Sequence, residues 1–193
     1  MSMTSETISS GPKPSEQVVQ ALANDGWRYL WFVIGAVLWL FALGGRWDLP
    51  LAAWLFSVFL LRFSRASRPV VGISLVWLAS VAAALFWLWQ LAVPIQVSSV
   101  VGSLAYGTLF AVPFLLDRLL APRLGAASAM LLFPAALAAC EFLAGAFSPL
   151  GAAYGMRAVA QHDNLALLQI IAVTGPYAIG FLVGWFATVA NQV

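Results

Sequence analysis

Apolar residues run through this chain in long blocks rather than in alternation, and the breaks between blocks set the elements. Residues 1–26 are polar and rich in Ser, Thr and Pro, and they read as a mobile tail. A bilayer core is about 30 Å thick and a helix rises about 1.5 Å per residue, so a crossing takes about 20 mostly apolar residues. Tyr29 to Gly45 predicts a first span. Leu49 to Leu61 is short for a full crossing and predicts a tilted or partial second span that draws on its flanks from Trp47 to Phe63. No charge occurs from Pro69 to Leu116; as one helix that stretch would reach about 70 Å, so it must double back. Pro94, Gln90, Gln96, Ser98 and Ser99 supply the turn chemistry, which places spans over 70–90 and 97–116. Spans over 126–147 and 165–189 complete the set. They are joined by the connector 148–164, where Pro149, Gly151 and Gly155 oppose a continuous helix. The pattern predicts an all-α, polytopic integral membrane bundle of about six transmembrane helices.

Composition agrees: the chain is 63% hydrophobic and 8% charged, whereas a soluble domain is about a quarter charged. A net charge of +2 over 193 residues offers no basic face for nucleic acid. Charge placement orients the bundle. Arg62, Arg65 and Arg68 follow the second span and Arg118 and Arg123 the fourth, while the three opposite connectors hold Arg46 and Arg157. By the positive-inside rule the arginine-rich loops and the N-terminus are cytoplasmic. The first apolar segment begins too late for a cleaved signal peptide, so the first span should stay in place.

Candidate chemistry is sparse. Glu141 is the only charge between Arg123 and Arg157, and an acid placed inside a membrane usually faces protein and carries a functional or positioning role. Its neighbour Cys140 points about 100° away around a helix, so adjacency makes no nucleophile and base pair. Cys140 reads as a packing residue. His162 and Asp163, five and six residues after Arg157, lack metal-ligand spacing; they read as a solvated loop, and no cofactor or metal is expected. Arg157 is a candidate contact for anionic lipid or the partner that a buried Glu141 needs. Gly180 with Gly184, and Ala135 with Ala139, permit close helix approach. Trp27, Trp47, Trp87 and Trp89 lie near span ends, where indoles favour the headgroup zone.

The order FPAALAACEFLAGAF, SPLGAAYGMRAVAQHDN and LALLQIIAVTGPYAIGFLVGWFATVANQ, over Phe133 to Gln192, resembles the membrane domain of apolipoprotein N-acyltransferase. Pro134, Glu141, Phe142, Leu143, Gly151, Tyr154, Gly155, Gln169, Gly175, Tyr177 and Gly180 occupy comparable places. Earlier parts fit as well: a short second span followed by arginines, FWLW at the end of the third and LFAVPFLLDRLL closing the fourth. The chain departs from the family at Ala144, where an Arg is usual, and in the loop Phe147, Ser148, Pro149, Leu150, where the family has Phe-Pro-Trp. The resemblance implies that catalysis belongs to a nitrilase-like domain with a Glu, Lys and Cys triad outside the membrane. These residues hold no counterpart of that triad, so the chain is expected to be a fragment and inactive alone.

The resemblance also implies a role in a bacterial inner membrane, where the full enzyme moves an acyl chain from a phospholipid to the amino group of a lipoprotein's N-terminal cysteine. The membrane portion would anchor the catalytic domain and admit lipid. Its partners are then membrane lipid, and phospholipid and lipoprotein substrates through the catalytic domain. Glu141, Arg157, Tyr154, Gly151, Gly155 and Gln169 are the structural and positioning candidates, and none is assigned a catalytic role. The alternatives are a small transporter or channel subunit with Glu141, Arg157 and His162 along a polar pathway, or a catalytically silent membrane scaffold.

Overall fold

The computed structural model describes residues 26–147 and 155–192. Among them the regular structure is helical throughout: α1 (Arg28–Leu40), α2 (Pro50–Ala66), α3 (Pro69–Gln90), α4 (Val97–Leu120) and α5 (Ala126–Phe147). Short α6 (Leu165–Leu168) and α7 (Ile171–Thr174) then lead into α8 (Tyr177–Ala190), with 3-10 turns at Ala121–Arg123 and Val159–Gln161. The tail ahead of Gly26 and residues 148–154 lie outside the described residues. Pro50 and Pro69 open α2 and α3, positions where proline's missing N–H costs no helical bond.

Helices α3, α4 extended through Arg123, and α5 are long and apolar enough to cross a membrane. The stretch expected to form one last span over 165–189 is broken instead. Leu165–Thr174 and Tyr177–Ala190 meet at 115°, and the pair would add a fourth crossing if it were one span. Gly175 at φ +77° followed by Pro176 explains the break, because a left-handed backbone suits glycine and proline has no N–H for the helical ladder. The first helix also stops early, at Leu40. Beyond it the chain turns through Gly44 at φ +70°, where an added Cβ would stand 2.6 Å from Val159 Cγ1.

Helix α1 packs on α2, α3 on α4, and α5 on both α4 and α8, with α2 also against α8. The main core gathers Trp39, Phe56, Phe63, Phe110, Phe114 and Phe133. Trp39 stacks on Phe56 at 4.9 Å between ring centroids, and Phe114 meets Phe133 edge-on at 5.0 Å, arrangements the ring quadrupoles favour.

Two expectations about helix faces change. Gly184 does admit α5, since a Cβ there would lie 2.8 Å from Pro134 Cα, but Ala135 and Ala139 are exposed. The buried stripe of α5 runs through Phe133, Pro134, Ala136, Leu137, Cys140 and Glu141, and a 3.6-residue turn leaves 135 and 139 on the other side. Trp87 belongs to the core at 7% exposure because it continues the buried Val76, Ser80, Ala83 row of α3. Trp27, Trp47 and Trp89 are exposed as expected of interfacial indoles.

Candidate functional site

The described part of the long connector folds into the end of the bundle instead of lying over it. At Gly155, φ is +76°, a conformation that favours glycine, and its carbonyl accepts a 3.2 Å hydrogen bond from the Tyr106 hydroxyl of α4. Met156, Arg157, Ala158, Ala160 and Gln161 are then all buried. Backbone without a helical ladder needs other partners when it is buried. Gln161 supplies some: its Nε2 donates to the Pro50 carbonyl at 2.9 Å, and its Oε1 accepts from Trp54 Nε1 at 3.2 Å. Val159 seats against Gly44, and Ala158 packs with Ile179 and Val183 of α8.

At the centre of this plug, Arg157 reaches Glu141. Both side chains are 0% exposed, with Nη1 and Oε1 3.1 Å apart. The same Oε1 also accepts the Arg157 backbone N–H at 3.0 Å, so one carboxylate oxygen holds both the side chain and the main chain of the connector. The guanidinium carbon sits 4.3 Å from the Phe110 ring centroid and 5.5 Å from that of Phe56, where the negative ring faces attract a cation. Glycine at 180 is what lets the carboxylate fit, because a Cβ there would overlap it. Glu141 Oε2, Arg157 Nε and Arg157 Nη2 have no hydrogen-bond partner among the described residues.

The other sequence candidates are distributed differently. Gly155 joins the pair's surroundings; Gly151 and Tyr154 lie outside the described residues. Gln169 is exposed in the turn between α6 and α7, and the structure does not bring it to Glu141. His162 is 56% exposed, its ring nitrogens lying 3.5 Å from Asp48 Oδ2 and 3.4 Å from Asp163 Oδ1. It therefore does not extend a polar path from Glu141. Cys140 is buried in the main core, and among the described residues no group of His, Cys, Asp and Glu is arranged to hold a metal.

Sequence reasoning passed over Tyr106, Gln161 and Asp117. Each is a polar residue within or beside an apolar run, the same signal that singled out Glu141. Asp117 is 2% exposed and forms a two-point pair with Arg65, with Nε to Oδ2 at 2.9 Å and Nη2 to Oδ1 at 2.8 Å.

The family model for the apolipoprotein N-acyltransferase N-terminal domain matches residues 34–189. The chain belongs to that family. The matched stretch includes both Glu141 and Arg157, so the buried pair lies within the apolipoprotein N-acyltransferase N-terminal domain itself. No curated protein and no solved structure matches the chain.

Chemically, the site can hold and position the connector, because Glu141 Oε1 engages both the side chain and the main-chain N–H of Arg157. Cys140, the single cysteine of the chain, is free and buried next to Glu141 on α5.

Proposed function

We propose that this chain is the membrane portion of an apolipoprotein N-acyltransferase-like protein of the bacterial inner membrane, anchoring a catalytic domain at the outer leaflet and admitting phospholipid between its helices. The observation that carries this reading is the family match over residues 34–189. On this reading α1 and α2 are short spans, and α6 to α8 form a bent one, which brings the crossings to six when α3, α4 and α5 are added. The N-terminus and the arginine-bearing ends of α2 and α4 then face the cytoplasm.

Glu141 acts here as an organising residue. It holds Gly155–Gln161 in the outer mouth of the bundle, giving a catalytic domain a fixed platform instead of a loose loop. The acyl transfer itself requires a nucleophile and base that the described site does not provide.

The test is complementation. Cells depleted of their own apolipoprotein N-acyltransferase receive this chain joined to a nitrilase-like catalytic domain, and lipoprotein N-termini are examined by mass spectrometry. Recovery of N-acylated lipoprotein that drops with Glu141→Ala supports the proposal. If the joined chain inserts in the membrane yet restores no acylation, the reading fails.

A further inference from the structure

The end of the connector carries a titratable contact that the buried pair does not use. His162 leaves the 3-10 turn Val159–Gln161 with its ring set among oxygen acceptors. Nδ1 lies 3.3 Å from the Val159 carbonyl oxygen and 3.5 Å from Asp48 Oδ2, and Nε2 lies 3.4 Å from Asp163 Oδ1. A neutral imidazole has one N–H, so its second nitrogen would turn a lone pair toward oxygen here; the imidazolium donates from both. Asp48 comes from the α1–α2 connector and is 11% exposed, whereas Asp163 is the next residue in sequence and is 81% exposed. The other charged residues of the two connectors are engaged elsewhere: Arg46 lies over the Trp47 ring, and Arg157 is buried against Glu141. Those of α2, Arg62 and Arg65, stand at its far end.

What His162 fastens is a limb with little else to hold it. Asn164, two residues on, caps α6, its Oδ1 accepting the Leu167 N–H at 3.1 Å. Neither α6 nor α7 has a buried residue. Leu167 and Ile171 touch the small cluster of Ala158, Ile179 and Val183, while Leu165 and Val173 are exposed. At its other end the limb bends by 115° into α8 at Gly175, where an added Cβ would meet nothing within 4 Å. A segment with few buried contacts opens at a low free-energy cost, and open space at the bend leaves it room to swing. Leu165–Thr174 is thus pinned at its start and hinged at its end.

We propose that His162 is a pH-dependent latch: as the imidazolium it bridges Asp48 and Asp163 and ties the start of the limb to the α1–α2 connector, and as the neutral ring it lets the limb go. Histidine side chains change charge between about pH 5 and 8. Because the charged form gains the carboxylates, the hold is present below that range and is lost as pH rises through it. The latch rests on the geometry of the two connectors and does not depend on the acyl-transfer reading.

Hydrogen exchange of the full chain in lipid nanodiscs tests it, read by mass spectrometry on peptides covering residues 162–175. Exchange is compared at about pH 5.5 and about pH 8.5, either side of the histidine range, with labelling times scaled for the intrinsic pH dependence of amide exchange. Opening of the limb should be about two- to fivefold greater at the higher pH, the range for a half-exposed ion pair, while peptides of α3 and α4 keep equal protection. His162→Gln, neutral throughout, should open at the lower pH as the wild type does at the higher. His162→Arg, charged throughout, should stay closed at both. Asp48→Asn should remove most of the difference, because it takes away the less exposed carboxylate. Equal exchange of the wild-type limb at the two pH values overturns the proposal. A His162→Gln variant that keeps the pH response overturns it as well, since the titration would then belong to another group.

Discussion

Two arginine–carboxylate pairs stabilise opposite ends of this bundle, and they are built in contrasting ways. Arg65 and Asp117 join α2 to α4 through two parallel hydrogen bonds, with Arg65 still 20% exposed. Beside them Arg118 donates to the Ser64 and Ser67 carbonyls, satisfying acceptors at the end of α2 that no further turn can reach. The pair clasps helices that already exist. Arg157 and Glu141 instead meet through a single side-chain contact, fully buried, and what they hold is an irregular segment. Removing two charges from water costs several kcal/mol per ion, and Coulomb attraction offsets it only with good geometry and further hydrogen bonds. At Glu141 the further support comes from the Arg157 main-chain N–H and from the rings of Phe110 and Phe56. Position in the fold, more than the residue types, separates a clasp from a keystone.

Breaking the keystone should have the largest effect. Arg157→Ala strands the Glu141 carboxylate in an apolar site and should cost about 3–5 kcal/mol, measured by denaturant unfolding in detergent. The double variant Glu141→Met, Arg157→Met should be more stable than Arg157→Ala, because no orphaned charge remains. If Arg157→Ala unfolds at the wild-type midpoint, the pair does not hold the segment. Next comes Gly180→Ala, whose methyl group must displace the carboxylate and should cost about 1–3 kcal/mol by overpacking. Faster proteolytic cleavage within 155–164 should accompany the loss, and unchanged cleavage would mean that α8 simply moves aside.

The clasp should respond more mildly. Asp117→Asn keeps the shape but removes the charge, and should cost about 1.5 kcal/mol or less because Arg65 retains contact with solvent. Raising salt to about 1 M, where the Debye length falls to about 3 Å, should narrow the gap between wild type and Asp117→Asn while leaving the Arg157→Ala gap in place. A gap that does not respond to salt at Asp117 would make the two pairs equivalent after all. The smallest effect is expected from Trp54→Phe, which removes the hydrogen bond to Gln161 and should cost about 1 kcal/mol. Cleavage at the plug should rise slightly, and no rise would mean that the Trp54 bond to Gln161 adds nothing to the plug's hold.

Much of the helical layout was legible because long apolar runs and their proline and glycine breaks are local properties. The starts at Pro50 and Pro69 and the helix over 126–147 are visible in the residues themselves. The break at Gly175 and Pro176 carried its signal too, but the apolar run on both sides masked it. Ala135 and Ala139 show the limit from the other direction: small residues at the right spacing pack nothing when their face points away from the neighbouring helix. For the site, Glu141 stood out as a lone charge, while Asp117 and Gln161 did not, since each lies near other polar residues and only its burial distinguishes it.

Composition and hydrophobic pattern by themselves determined a helical membrane protein with an acid in one of its apolar helices, because a run of apolar residues has few stable destinations other than a bilayer. Ordered residues from Pro134 to Gly180 carried the family resemblance. The tertiary structure decided which groups meet. It turned the chain inward at Gly155, set Arg157 against Glu141 across 16 residues, and gave the carboxylate its space at Gly180. Those outcomes depend on where α2, α4, α5 and α8 stand relative to one another, a long-range packing result that no local pattern encodes.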